Sequence, residues 1–168
     1  GISPKFENYC ENSNRMADTY NKNEYGFGNG WRLGFSSIES FSVSNYYYVE
    51  EKQRLITSDG MQYIIHFTPD STDSNLEGYK LSDIRLEQTG DGYPGASYTL
   101  FHADGKKEYF DANGRNIAIV DRYGNAITLS YTVAVDTVSK ITIVDTLGHV
   151  IIYKNENIDR SVKWKENS

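Results

Sequence analysis

The chain is poor in the features of membrane-spanning, disulfide-stabilised or nucleic-acid-binding proteins. Its 168 residues include one cysteine, Cys10, and three prolines, so an internal disulfide is excluded. No apolar run approaches the roughly 18 residues of a membrane span, and no signal-peptide core stands at the start. Lys and Arg are scattered, and the net charge is −6 at pH 7. We therefore expect no membrane span and no nucleic-acid partner.

A long amphipathic helix is also missing from the pattern. No window of about 11 residues or more keeps an apolar i, i+3, i+4 stripe, and the nearest candidate, Tyr9–Tyr20, is polar all round. What is present is 14 Tyr, seven Phe, two Trp and 14 Gly. Aromatic residues suit pleated strands and glycines suit tight turns, so the composition predicts one all-β domain.

Two stretches near the C-terminal end carry the same pattern. Asn116–Ile127 and Lys140–Ile151 share Ile, Ile, Val, Asp, Gly and Ile at equivalent positions. Asp at the first and Gly at the fourth position of a turn is typical of type I geometry, because Asp caps the turn amides and Gly accepts the positive φ that follows. Each repeat is therefore predicted to be a β-hairpin, with these turn residues: Asp121 and Gly124 in the first, Asp145 and Gly148 in the second.

Weaker copies of the hairpin pattern lie upstream. Arg54–Tyr63 and Tyr98–Tyr109 each hold an alternating strand, an Asp-Gly pair and a second strand ending in Tyr, and Asn113-Gly114 adds another turn. Asp-Gly indicates a type I′ hairpin turn, in which both central residues have positive φ. The pairs are Asp59 with Gly60 and Asp104 with Gly105. Together the copies predict an antiparallel β-hairpin meander, forming an open sheet or partial shell.

The repeats also predict a sheet with one apolar face. Alternation places five large residues on one side, while Thr128 and Ser130 point away. The five are Ile117, Ile119, Ile127, Leu129 and Tyr131. A sheet of this kind needs neighbouring units to cover it, which favours a scaffold role.

The glycine-rich stretch before the repeats has two readings. Gly26, Gly28 and Gly30 could form a nucleotide loop, but such a loop must open a helix, and the sequence after Trp31 alternates like a strand. We favour a bend, which the glycines allow because they tolerate unusual backbone angles, and which packs Trp31 against the sheet. No cofactor is expected.

The sequence contains few patterns that indicate a catalytic or metal-binding site. No Gly-x-Ser-x-Gly elbow occurs, and His66, His102 and His149 lack the spacing of a zinc site, so each is expected to be a satisfied or exposed strand histidine. Asp70, Asp73, Asn75 and Glu77 could surround calcium, but they lack the register of a calcium loop. A solvated polar loop is the favoured reading, and we expect neither a metal nor an enzyme.

One aromatic run could bind a ligand. Rings stack on sugar faces while their hydroxyls bond sugar hydroxyls, so Tyr46-Tyr47-Tyr48 is a candidate carbohydrate site. On a strand, neighbours point to opposite faces, so only Tyr46 and Tyr48 could share a surface. Core packing with one exposed ring is the competing reading, and it is favoured.

Over about residues 19 to 153 the chain resembles the Rhs/YD-repeat family. Gly26-Phe27-Gly28-x-Gly30-Trp31, preceded by Tyr20-Asn21, looks like the start of that family's repeat region, and the Asp-Gly hairpins follow in the family's order. Asp-Arg-Tyr-Gly-Asn at 121 to 125 resembles its most recognisable phrase. The Tyr-Asp dipeptide that names the repeats is missing, since Thr132 follows Tyr131 and Lys154 follows Tyr153. The copies therefore look like irregular early repeats.

The resemblance implies a structural segment of a large bacterial chain, secreted or at the cell wall or cell surface. Repeats of this family wind a β-sheet into a shell that can enclose a C-terminal toxin, so the expected partners are neighbouring repeats and an enclosed toxin. A carbohydrate-binding adhesion module that contacts cell-surface glycans is the alternative. Gly1 in place of an initiator Met suggests a portion of a longer chain. We divide it into an irregular segment 1–18, a repeat domain 19–153 and a tail 154–168 that covers or edges the sheet.

Overall fold

A computed structural model of the protein describes residues 33–134 and 137–155. These residues form strands joined by turns, and none of them lies in a helix that could cross a membrane. The all-β fold is confirmed, with two open antiparallel sheets that do not close into a barrel. Gly26, Gly28, Gly30 and Trp31 lie outside the described residues, as does the tail beyond Asn155.

The first sheet has four strands in chain order. They are β1 (Ser37–Ser44), β2 (Val49–Ile56), β3 (Gln62–Phe67) and β4 (Ser74–Leu76). Strands β1 and β2 pair over their full length, whereas β2 and β3 pair only from Gln53 to Ile56. The first hairpin therefore extends beyond the rest of its sheet.

The second sheet has seven strands, again with each strand beside the next in sequence. They are β5 (Ile84–Glu87), β6 (Tyr98–His102), β7 (Lys107–Phe110), β8 (Asn116–Val120), β9 (Ala126–Ala134), β10 (Thr137–Asp145) and β11 (Val150–Lys154). All pairs are antiparallel, with bulges at the β7–β8 and β9–β10 ladders. The predicted meander is confirmed.

Two junctions join the sheets. At the first, Asp73 bridges Glu87, and the Ser74 hydroxyl donates to the Leu86 carbonyl at 2.6 Å. At the second, the Ile38 amide donates to the Gly114 carbonyl at 2.8 Å. The start of β1 thus lies on the β7–β8 turn.

The apolar core lies between the two sheets. Residues at alternate strand positions supply it, and burying one such leucine stabilises the fold by roughly 2 kcal/mol relative to leaving it in water. The core comprises Ile38, Leu55, Ile65 and Leu76 of the first sheet and Leu86, Tyr98, Leu100 and Phe110 of the second. Each sheet therefore covers the apolar face of the other.

One loop geometry closes five of the hairpins. In each, the first residue donates its amide to the carbonyl of the fifth, and a glycine at the fourth position donates back to the first. That glycine has a φ between 77° and 91°. The loops span residues 57–61, 102–106, 111–115, 121–125 and 145–149. This is a type I turn followed by a left-handed glycine that forms a bulge.

The type I′ prediction for Asp59-Gly60, Asp104-Gly105 and Asn113-Gly114 is therefore wrong. Among the described residues only Asp70 and Asp91 are non-glycines with positive φ, at 61° and 46°. A three-residue loop needs a left-handed backbone at its last residue alone, so the residue before the glycine keeps the negative φ that L-residues favour. The positive φ predicted for Gly124 and Gly148 is confirmed, at 88° and 83°.

The burial of the repeat strands differs from the prediction that one face of the sheet is apolar and the other polar. Ile119 and Ile127 pair and share a face, as expected, and Leu129 is buried on that face. However, Ile127 is 37% exposed, while Ala118, which points the other way, is fully buried. The loop before β6 turns back over the Ala118 side, where Tyr93 stacks on Tyr109 at 4.3 Å. The second sheet is thus covered on both faces near β7 and sparsely near β11.

A glycine series tests this turn geometry. Gly124→Ala is expected to destabilise the protein by about 1 kcal/mol, because alanine disfavours positive φ. At Gly114 the φ is 77° and an added Cβ would lie 2.0 Å from the Ile38 carbonyl oxygen, so Gly114→Ala should cost about 3 kcal/mol. Gly34 has open space and no positive φ, so Gly34→Ala serves as the control. Equal urea-unfolding midpoints for the three variants would contradict the assignment.

Candidate functional site

The three consecutive tyrosines lie at the tip of the β1–β2 hairpin, and their predicted position on a strand is wrong. Tyr46 is 95%, Tyr47 89% and Tyr48 56% exposed. The favoured expectation of core packing is therefore also wrong. Strand pairing ends at Ser44 and Val49, so these residues form the connection between strands.

Asn45 sets the shape of this tip. Its side-chain oxygen accepts the Tyr47 amide at 2.8 Å and the Tyr48 amide at 3.1 Å, and its own amide donates to the Tyr48 carbonyl at 3.0 Å. Asparagine commonly caps a turn in this way. The Tyr46 and Tyr47 rings meet edge to face, with centroids 5.3 Å apart, so the tip brings these two together and not Tyr46 with Tyr48.

The predicted turn residues are spread over separate hairpins and do not form one site. Asp121 and Asp145 act alike: Oδ1 of each accepts two loop amides at 2.8 to 2.9 Å. The side chain of Asn125 holds the pKa of Asp121 below its usual value, and His149 does the same for the pKa of Asp145. In the loop 102–106 the Lys106 amide lowers the pKa of Asp104. Their role is to cap turns.

A buried carboxylate is the feature that the sequence reasoning missed. Glu108 on β7 is 2% exposed and lies among core residues. Its Oε1 is 2.8 Å from His102 Nε2, and its Oε2 accepts the Asn116 Nδ2 donor at 2.9 Å. Lys106 Nζ lies 3.5 Å from Oε1, and the Ser36 hydroxyl also bonds the carboxylate. The available signal was strand alternation, because Glu108 shares a face with Phe110.

Hydrogen bonding keeps this carboxylate ionised. Burial raises the pKa of Glu108. Hydrogen bonds from His102 and Ser36, together with the positive charge of Lys106, lower it by more than burial raises it, so the pKa lies below the ordinary value of 4.5. Ser36 precedes β1, His102 ends β6 and Asn116 begins β8. One charged group therefore joins the first sheet to two strands of the second.

The Glu108 cluster is structural in its geometry. Nucleophilic catalysis would need a hydrogen bond from a serine to its base. Ser36 and His102 instead both bind the carboxylate, and in the described part of the chain no bond joins them to each other. The carboxylate itself lies in the core, while His102 and Lys106 are partly exposed.

The other two histidines pair with carboxylates at the surface. His66 Nε2 lies 2.7 Å from Glu77 Oε2, and His149 Nδ1 lies 2.8 Å from Asp145 Oδ2. Within 33–134 and 137–155, no three His, Cys, Asp or Glu side chains are grouped so as to hold a metal ion. Asp70 and Asp73 lie in the β3–β4 connection, where Asp73 bridges Glu87. Asn75 lies on β4 and Glu77 directly follows it, so the predicted polar loop is a loop only in its first half.

Replacing the buried carboxylate should change stability in a pH-dependent way. Because the folded pKa of Glu108 is lowered, its stabilising effect is complete above the unfolded value of 4.5 and is lost as the pH falls through the folded pKa. At neutral pH, Glu108→Gln is expected to cost about 2 kcal/mol, the loss of charge-assisted hydrogen bonds. In urea unfolding, the gap between the natural chain and the variant should narrow in acid.

Glu77→Gln is the matched control for this measurement. Glu77 pairs with a histidine, as Glu108 does, but both members of its pair are more than half exposed. Surface pairs contribute little, so the control should unfold like the natural chain. A Glu108→Gln variant that keeps a constant gap from pH 7 to strong acid would show that this carboxylate does not carry the effect.

Comparisons with models of protein families, with curated proteins and with solved structures give no match to this chain. Three features of the described residues bear on function. They are the exposed aromatic tip, the repeated turns and the open end of the second sheet.

Proposed function

We propose that this chain is a non-enzymatic structural segment of a large secreted or cell-surface protein of the Rhs/YD-repeat type. It adds strands to a β-shell or scaffold that encloses or presents a C-terminal toxin. Its main partners are neighbouring repeats of the same protein. The observation that carries the proposal is the apolar end of the second sheet.

Strand β11 lies at that end and is poorly covered. Val150, Ile151 and Ile152 are 54%, 66% and 54% exposed. Successive residues of a strand point to opposite faces, so both faces of β11 are apolar and open to solvent. Soluble proteins usually blunt an edge strand with charge, proline or a covering element. An apolar edge strand of this kind is suited to another strand beside it.

The repeated hairpin unit indicates that a further strand would pair with β11. The β8–β9 and β10–β11 hairpins share the Asp-x-x-Gly loop and the same alternation. In the sheet, β10 of the second unit covers the edge of β9 in the first. By the same relation, β11 offers its edge to the first strand of a further unit. Addition of like units is how repeat sheets bury surfaces that one unit leaves bare.

This proposal predicts self-association of the isolated chain through β11. Sedimentation velocity over a range of concentrations should show reversible dimers, because two copies bury apolar edge residues together. Ile152→Lys should shift the chain to monomer by placing a charge at that edge. Val133→Lys is the control, since Val133 is 45% exposed but lies on β9, inside the sheet. A strictly monomeric natural chain at high concentration would argue against an edge that needs a partner.

Adhesion to glycans is the second candidate function, favoured by the tyrosine tip. Two rings that meet edge to face, both about nine-tenths exposed, offer flat surfaces and hydroxyls to a sugar. The tip stands on a stiff turn, so little ordering is needed on binding. These observations support a site at Tyr46 and Tyr47, with Tyr48 beside them.

A glycan array tests this second function. Saturable binding to a glycan is expected, and Tyr47→Ala should weaken it about tenfold by removing one stacking face. Tyr123→Ala is the matched control, because Tyr123 is a lone tyrosine, 74% exposed, on another hairpin loop. If both variants bind equally, or if no glycan binds, the tip is not a carbohydrate site.

A further inference from the structure

The β1–β2 hairpin extends beyond the part of β2 that pairs with β3. Strands β1 and β2 form eight residue pairs, whereas β2 and β3 form four. The outer half of β2, Val49–Lys52, therefore has a strand on its β1 side and, among the described residues, none on the other. Alternate amides and carbonyls of a strand point to each side, so part of this backbone is left without a ladder partner.

Packing of β3 onto the second sheet explains why the two strands separate. After Ile65, β3 continues along β4 through His66 and Phe67. The Phe67 ring lies 5.9 Å from the ring of Tyr98 on β6. Aromatic contacts of this kind stabilise the core, so β3 follows the second sheet and leaves β2.

A groove opens where β2 and β3 part. It has a volume of about 430 Å³. It is lined by Glu50–Gln53 of β2 and Ile64–Phe67 of β3, and by Ser40 of β1. Four residues of free strand edge offer about 13 Å of backbone. The groove thus has the length and the hydrogen-bonding edge to seat a short extended peptide.

Side-chain contacts join the two strands of the hairpin that forms one wall. The Arg54 guanidinium lies 5.0 Å from the Phe41 ring and pairs with Glu39 at 3.1 Å. Farther out, the Ser42 hydroxyl bonds Glu51 across the two strands. These contacts hold the free edge of β2 in strand conformation before any ligand arrives, which lowers the ordering cost of binding.

The charges in the groove favour a basic occupant. Glu50 Oε2 lies 3.3 Å from Lys52 Nζ, so the charges of these two residues cancel. Glu51 is then in excess on the β2 wall, whereas Glu77, which pairs with His66, lies outside the lining of the groove. The lining therefore carries one unbalanced carboxylate, so lysine or arginine on the incoming strand is favoured over acidic residues.

We propose that the groove between β2 and β3 binds an extended, basic segment of another polypeptide by strand addition to the free edge of β2. Main-chain hydrogen bonds to Val49–Lys52 provide affinity, and the unbalanced carboxylate provides preference for basic side chains. The site is separate from β11 and from the tyrosine tip. It is an interaction surface beyond the scaffold role.

Selection from two hexapeptide libraries tests the proposal. One library has lysine fixed at two alternate positions, the other has glutamate there, and the remaining positions vary without proline. The lysine library should yield peptides that bind at least about tenfold more tightly than any from the glutamate library. Bound peptide should shift the amide resonances of residues 49–53 and 64–67. No enrichment, or shifts elsewhere, would overturn the proposal.

Backbone methylation separates strand addition from charge attraction alone. N-methylation of one alternate set of amides in the selected peptide should abolish binding, while methylation of the other set should have little effect. Equal effects of both sets would overturn strand addition. Glu51→Lys should weaken the lysine peptide about tenfold, with Glu51→Gln as a milder variant if folding suffers. Tyr123→Ala is the control, because this exposed tyrosine lies on the loop between β8 and β9, outside the groove, and the variant should leave binding unchanged.

Discussion

The left-handed glycine at the fourth position of the hairpin loops is the constraint on which the fold depends. In each of the five loops it lets the chain reverse within three residues, so the first and fifth residues pair and the register of both strands follows. A slip of one residue would turn every core side chain to solvent. Asp121 and Asp145 reinforce the register by accepting two amides of their own loops.

Hairpins alone would give a flat meander, and Glu108 joins this meander to the first sheet. Its carboxylate binds Ser36 before β1, His102 at the end of β6 and Asn116 on β8, while the Tyr131 hydroxyl donates to the Asn116 carbonyl at 2.6 Å. A buried charge is costly unless hydrogen bonds satisfy it. His102 and Asn116 reach the carboxylate within the second sheet, whereas Ser36 reaches it only in the observed arrangement of the two sheets, so this hydrogen bond favours that arrangement.

Among the described residues, the open edges of β11 and of the outer half of β2 differ in character. At β11 the exposed side chains are Val150, Ile151 and Ile152, which suit a strand of the same kind. At the outer half of β2 the groove is lined by Glu50, Glu51 and Lys52 together with residues of β3, and the excess carboxylate suits a short basic strand. The opening at β2 arises where β3 turns away from β2, whereas β11 is the last described strand of its sheet. The repeated turns make such edges, because each added hairpin covers one edge and exposes another.

Local chemistry in the sequence was sufficient for the hairpins, the antiparallel order and the positive φ of Gly124 and Gly148, because turn residues act within five positions. The same chemistry misassigned the turn type at Asp59 and Asp104, since Asp-Gly fits both a two-residue and a three-residue loop. Tyr46 and Tyr48 were placed on a strand because Asn45 caps a turn that no Gly or Pro announces. Glu108 and the groove at β2 were invisible, because both depend on contacts between strands far apart in the chain, and only the packing of one sheet on the other decides them.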